Sequence, residues 1–166
     1  QTIQVVLDHP KKKSILSMGP FFDFGPWDEP YLTIEGKPVT LNDIEHRILR
    51  PIWQDHRLHY VLNCASIGCP NLNRHAYQAE LIDQQLAGAQ ANFLRHPRAV
   101  TLTDSGKLQV TSLFDWYLID FAQDISGLLA YLAAQRPDLA ANLSALVDEG
   151  DPKIDYVYDW DLNVVD

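Results

Sequence analysis

Ten consecutive residues, "NCASIGCPNL" at positions 63–72, carry the only two cysteines of a 166-residue chain, together with Ser66, Gly68 and Pro70. A cysteine attacks carbonyl carbon as its thiolate, and at an ordinary pKa of about 8.5 only a few per cent is ionised at neutrality. Chemistry in this stretch therefore requires a lowered thiol pKa. A Ser/Gly loop can turn several backbone N–H groups toward one point, and a helix that follows it presents a dipole that favours an anion. Cys64 stands where a stretch read as a buried strand runs out, and Cys69 precedes Pro70, which suits a first helical position. Both sulfurs fit, and the strand end fixes the position of Cys64 better. The candidate base is His59, five residues upstream, or His46, which lies beside Glu45.

A Cys–His pair oriented by a carboxylate or amide has the residue roles of papain and transglutaminase sites, which carry out acyl transfer or amide hydrolysis. The expected catalytic set is Cys64, His59 and Glu45. Adjacent helical residues point about 100° apart, and Leu41, Ile44, Ile48 and Leu49 bracket the direction of Glu45 more closely than that of His46. Glu45 is thus expected to face inward and hold the His59 imidazole in one tautomer. Asn63, Ser66, Cys69 and Asp120 are the expected binding and supporting groups. Asp120 lies among aromatics and needs a hydrogen-bond donor, for which Arg50 and Arg57 are candidates. The loop from Asn63 to Leu72 is expected to line the main concave pocket, where a strand end and a helix start collect exposed donors.

Plainer readings stand beside this one. Both cysteines can be small half-buried residues and His59 a strand histidine with a satisfied ring. A Cys64–Cys69 disulfide would close a loop so short that it contributes only about 2 kcal/mol. Zinc finds C-x4-C and His75 but no fourth ligand, so no metal is expected. "DWDLN" places Asp159, Asp161 and Asn163 at calcium-loop spacing, yet Val164 replaces the turn glycine, and no EF-hand is expected. No cofactor is called for.

The elements that must position these residues follow from periodicity. Ile3, Val6 and Leu7 fall at helical spacing before Pro10. A loop from 18 to 30 carries Gly19, Pro20, Phe21, Phe22, Phe24, Gly25 and Trp27. "YLTIEGKPVTL" reads as a hairpin, and Thr40 with Asp43 as a capping-box start for "LNDIEHRILR", ended by Pro51. "RLHYVLNC" alternates like a strand, with Leu58, Tyr60 and Leu62 on one side and His59, Val61 and Asn63 on the other. A long helix follows from about Ala76 to Leu94, then a hairpin about Asp104-Ser105-Gly106. Ser112 and Asp115 are read as the cap of one aromatic helix, "LFDWYLIDF". Helices near 124–135 and 138–148 lead to a last strand, "IDYVYDWDLN". The fold class is α+β: a small mixed or antiparallel sheet with several packed helices, arranged as one domain over 1–166.

Thirteen basic against twenty-two acidic residues give a formal charge of −9, which repels nucleic acid and anionic membranes alike. No apolar run approaches the ~18 residues of a membrane span. The expected partner is a small-molecule or peptide ligand, with oligomeric state left open. The chain opens without Met or a charged-then-apolar leader, as a processed product or an excised fragment does, and an exported or periplasmic setting is compatible with that.

Four segments, "LNDIEHRILRP", "HYVLNCASIGCPNL", "SLFDWYLIDF" and "YDWDLN", in this order over residues 41–163, resemble the domain of unknown function 547 family. In that family a helical segment with a Trp-x-Asn-x-Tyr-Asn-Ala stretch normally comes first, and it is absent here. The resemblance therefore implies that this chain is the C-terminal part of a longer domain. It implies a scaffold and site positions but no substrate. Two functions stay open: a cysteine-dependent hydrolase or acyl transferase acting on an amide or peptide-like substrate, or a non-catalytic module binding a peptide or small thiol, with structural cysteines.

Overall fold

The computed structural model describes residues 2–9, 11–18, 26–30, 32–148, 150 and 152–163. The expectations placed on Pro10, on Gly19 to Gly25 with their three phenylalanines, and on Tyr31 and Val164 lie outside the described residues. The fold is α+β, with two small sheets and several helices.

Helix α1 (Thr2–Asp8) is followed by the hairpin β1 (Leu32–Ile34) and β2 (Lys37–Val39). Glu35 and Gly36 both take positive φ at its turn, as the right-handed twist of a two-residue hairpin requires. The Thr40–Asp43 box then closes in both directions. The Thr40 N–H donates to the Asp43 carboxylate at 3.1 Å, and the Asp43 N–H donates to the Thr40 hydroxyl at 3.0 Å.

The helix it starts is a π-helix, Asp43–Leu49, in which the Arg50 N–H reaches back to the Glu45 carbonyl. Pro51 does not end it. The chain continues as α2 (Arg50–Trp53) and stops at Gln54, whose φ of 50° breaks the ladder. Proline is tolerated there because it stands in the first turn of the α segment, where its missing N–H is not needed.

The largest departure from the periodicity is at 57–64. This is not a strand: His56–Tyr60 is a 3-10 helix that leads into a turn. Asp55 starts it by accepting from the Arg57 N–H at 2.9 Å while also gripping the Arg57 guanidinium. Leu58, His59 and Tyr60 are all buried, since the turn is packed both against α3 (Ile82–Leu94) and against the aromatic helices. A short apolar run buried on both sides reads alike as strand or helix. Helix α3 itself starts later than its periodicity suggests, after a 3-10 turn at Ala79–Leu81. The Gln85 side chain takes the Gln78 N–H at 2.9 Å and holds the preceding chain out of the helix.

Strands β3 (Val100–Leu102) and β4 (Leu108–Thr111) pair antiparallel, and β5 (Ile154–Val157) joins β4 in parallel, so the sheet is mixed with order β3-β4-β5. Between them the aromatic segment forms two short helices, α4 (Leu113–Trp116) and α5 (Leu118–Phe121), broken at Tyr117. The Ser112 side chain makes no cap bond, because Ser112 is itself helical and its N–H is tied to Val157 at the sheet edge. Helices α6 (Ile125–Gln135) and α7 (Ala140–Asp148) close the main core with Leu128, Leu129, Leu132 and Leu143 on Phe114, Val110 and Phe93. A smaller cluster of Val5, Ile15, Met18, Ala65 and Leu162 packs with Trp27 and Trp160. The seam between the two clusters is where the site forms.

Candidate functional site

The cysteine loop is shaped by two devices. Asn63 bridges it, with its amide donating to the Pro70 carbonyl at 2.7 Å and its side-chain oxygen accepting from the Ala65 N–H at 3.0 Å. Ala65 then takes φ 67°, a left-handed conformation costing a side-chain-bearing residue about 1 kcal/mol or more. The second device is the chain beyond β5. Ile67 and Gly68 donate to the Asp161 and Asp159 carbonyls at 2.8 Å each, and Asn163 donates to the Ala65 carbonyl at 2.8 Å. A Cβ on Gly68 would stand 2.8 Å from the Asp159 nitrogen, so the approach needs glycine.

This pairing brings Tyr158 to Cys64. The Tyr158 hydroxyl lies 3.0 Å from Cys64 Sγ and 2.8 Å from Ser66 Oγ, with Ser66 Oγ itself 3.5 Å from the sulfur. Both cysteines are free thiols, Cys64 half-buried and Cys69 buried. The Cys64 N–H donates to Cys69 Sγ at 2.9 Å, and Cys69 Sγ stands 3.5 Å from the Leu62 carbonyl. The Cys69 thiol as hydrogen-bond partner brings the Cys64 pKa down to about 7 against the opposing effect of burial, with Tyr158 and Ser66 adding to it. Burial, and then the Cys64 neighbour, push Cys69 the other way. The two shifts run in opposite directions, so Cys64 is the more readily ionised thiol of the pair.

His59 is set by a different part of the chain. Its ring, with a side chain 2% exposed, stacks on Tyr117 at 4.1 Å between centroids, and Nε2 lies 2.7 Å from Asp120 Oδ2. Arg50 clamps both Asp120 oxygens, with Nε at 2.6 Å on the same Oδ2 and Nη2 at 3.0 Å on Oδ1. Burial pushes the Asp120 pKa up, but Arg50 and then His59 outweigh it and hold the group ionised, below the ordinary carboxylate value. An ionised Asp120 can only accept, so Nε2 carries the imidazole proton and Nδ1 carries the lone pair. Burial lowers the His59 pKa despite Asp120 and Glu45, which keeps the ring neutral at neutral pH. Glu45 Oε1 is 3.9 Å from Nδ1, and the Glu45 carboxylate takes the Tyr117 hydroxyl. His46 is exposed but also lines the same cavity as His59 and Glu45, stacked on Tyr117, and its Nδ1 accepts from Arg50 at 3.0 Å.

Cys64, Cys69, Asn63, His59 and Glu45 line one cavity of about 560 Å³, walled by Trp27, Trp116, Tyr117, Tyr158 and Trp160. Ser66 and Asp120 stand behind that wall, each touching a lining residue. The cysteine loop reaches the cavity through Asn63, Cys64, Cys69 and Pro70. Because 57–64 is not a strand, the odd spacing of His59 and Cys64 places no barrier between them. Even so, the hydrogen-bond partners of Cys64 Sγ among the described residues are Tyr158, Ser66 and Cys69 rather than a histidine. In the sequence Tyr158 reads, with Tyr156 and Trp160, as core or cleft wall, not as a partner of the thiol. It lies 94 positions from Cys64, and its one signal is the alternation of Tyr156, Tyr158 and Trp160 at a strand end.

The sequence model of a family described as "Protein of unknown function, DUF547" matches residues 2–94, more than half of the chain. The chain belongs to this family. No curated protein and no solved structure matches it. The DUF547 match covers the N-terminal part of this chain and includes Glu45, His59, Cys64 and Cys69, while Asp120 and Tyr158 lie beyond it. This corrects the expectation of a C-terminal portion recognised over residues 41–163. The matched DUF547 stretch contains the cysteine loop and His59, and the rest of the chain contributes Tyr158 and Asp120, which hydrogen-bond to them.

Proposed function

We propose that this DUF547 chain is a thiol-dependent acyl-transfer enzyme, hydrolysing or transferring the acyl group of an amide or peptide-like substrate. The supporting observation is that Cys64, with hydroxyl donors at 3.0 and 3.5 Å, lines the same cavity as a histidine whose tautomer is set by a clamped carboxylate. Attack by the Cys64 thiolate forms a C–S bond, the C–N bond breaks, and the amine leaves with a proton drawn from water through His59 Nδ1. In the second step His59 Nδ1 takes a proton from water as its oxygen attacks the thioester. The C–S bond then breaks, sulfur leaves as thiolate, and His59 releases its proton to solvent, replacing the one taken up in the first step.

Activation of the sulfur in this scheme comes from the Cys69, Tyr158 and Ser66 donors, and His59 works on the leaving and attacking groups. The likeness to papain and transglutaminase sites is one of residue roles. A binding module without turnover is the second reading, favoured by the buried, hydrogen-bonded Cys69 and by the separation of Cys64 sulfur from any histidine hydrogen bond.

Incubation with an activated acetyl ester, followed by intact-mass analysis, tests the proposal. An acetyl adduct on Cys64 that forms rapidly, turns over in the wild type and persists in His59→Ala is expected. Absence of any Cys64 adduct, or an adduct whose lifetime ignores His59→Ala, would overturn it in favour of the binding module.

A further inference from the structure

We infer that the cavity recognises a primary ammonium group on its ligand, through its aromatic lining and the Glu45 carboxylate. The inference rests on the acyl-transfer reading for the role of the cavity, and it names the substrate class: amides that carry a positively charged amine.

Three rings form a continuous wall. Tyr158 and Trp160 have centroids 4.5 Å apart, Trp116 and Tyr158 4.9 Å, and Trp116 and Trp160 5.3 Å. Trp116 is 44% exposed, so the wall is open to a ligand rather than sealed in core. Aromatic faces attract cations, most strongly where water is excluded. Among the described residues, the guanidinium groups placed over rings are Arg50 on Tyr117 and Arg98 on Phe93, which leaves the Trp116, Tyr158 and Trp160 faces uncovered by a protein cation.

Charge across the cavity points the same way. Glu45 is the one carboxylate among the described lining residues, and they include no lysine or arginine. Its side chain is only 15% exposed. Of its neighbours, Tyr117 donates one hydrogen bond, His59 is held neutral by burial, Arg50 is committed to Asp120, and His46, which also lines the cavity, turns its Nδ1 to Arg50. An anionic ligand would meet Glu45 with no counter-charge. A wholly apolar one would strip water from a carboxylate and return nothing, a costly exchange. A ligand ammonium satisfies both the carboxylate and the rings, and the net charge of −9 favours its approach.

Glu45 is therefore assigned to substrate recognition, and orientation of His59 falls to Asp120. Binding to Cys64→Ser, followed by calorimetry, removes turnover and separates this inference from the acyl-transfer reading. The probes are N-acetyl-lysine methylamide, with a side-chain ammonium, alanine methylamide, with a terminal one, and neutral N-acetyl-norleucine methylamide. One ammonium probe is expected to bind roughly tenfold more tightly than the neutral probe, and which of the two does so identifies the source of the amine. Glu45→Gln should abolish that preference, and Trp116→Leu should reduce it with the fold intact by circular dichroism. Equal affinity for all three probes, tighter binding of N-acetyl-glutamate methylamide, or no binding of any probe would overturn the inference, whatever the outcome of acylation.

Discussion

His59 and Asp120 stand 61 positions apart in the chain and 2.7 Å apart in space, and Arg50 holds both oxygens of that carboxylate at 2.6 and 3.0 Å. The arrangement fixes one tautomer of a buried imidazole and leaves its other nitrogen on the side of Glu45.

Asp120→Asn should separate the two halves of the site. It removes the charge that Arg50 and His59 share, a loss of about 1.5–3 kcal/mol for hydrogen bonds to charged groups. It also frees the ring to take either tautomer. Turnover of the acetyl ester should fall by roughly 10²-fold or more. Iodoacetamide labelling of Cys64 should change little, because the sulfur takes its donors from Cys69, Tyr158 and Ser66. A parallel loss of labelling would show that the two halves are one unit.

Stability should depend on His59 in a defined direction. Burial holds its pKa below the ordinary 6.5, so the folded chain refuses a proton that the unfolded chain accepts. The stabilising contribution is full above about 6.5 and is lost as pH falls through that value toward the folded pKa. His56 is shifted the same way by burial, so both contribute in the wild type. Thermal unfolding across about pH 8 to 5 should show a drop at low pH that His59→Gln makes shallower, leaving the His56 part. An unchanged slope would assign the proton uptake to other groups.

Gly68→Ala should damage the cysteine loop from behind. The added methyl meets the Asp159 backbone at 2.8 Å, where no flexible side chain can give way. Overpacking of this kind costs about 1–3 kcal/mol, and it should loosen the Tyr158 contact as well. A lower melting temperature together with slower Cys64 labelling is expected. Unchanged values for both would show that the loop adjusts freely.

The sulfur environment can be dissected in the same way. Cys69→Ala removes the donor with the largest effect on Cys64, and Tyr158→Phe removes the hydroxyl at 3.0 Å. Each should raise the Cys64 pKa toward the ordinary cysteine value and slow labelling at neutral pH, together by roughly tenfold. Cys69→Ala also strips the Cys64 N–H of its acceptor, so some stability should be lost with it.

Much of the scaffold was legible because local rules decided it. The Thr40–Asp43 box, the Glu35-Gly36 turn and the helical spacing of Leu86, Ala89 and Phe93 are set by neighbours in the chain. The 3-10 helix at His56–Tyr60 was not legible, because a run buried on both sides has no periodicity to betray its period. The π-helix was hidden for a related reason: its Glu45-to-Arg50 bond changes which carbonyls are used without changing the apolar spacing. In the site, the cysteine loop could be found from composition alone. Asp120 was noticed only as a carboxylate among aromatics, and its partner Arg50 was one of two candidates. Tyr158 could not be assigned to Cys64, since nothing local announces a contact made across 94 positions by the chain just beyond β5.

Iodoacetamide labelling of the wild-type chain as a function of pH, read separately for each cysteine by peptide mass, asks whether Cys64 is a prepared nucleophile. Cys64 should titrate near 7 while Cys69 stays unreactive until well above the ordinary cysteine range, because burial and its neighbour push it upward. Labelling of both cysteines with one common midpoint at about 8.5, the value of an unperturbed thiol, would contradict the assignment of Cys64 as the nucleophile.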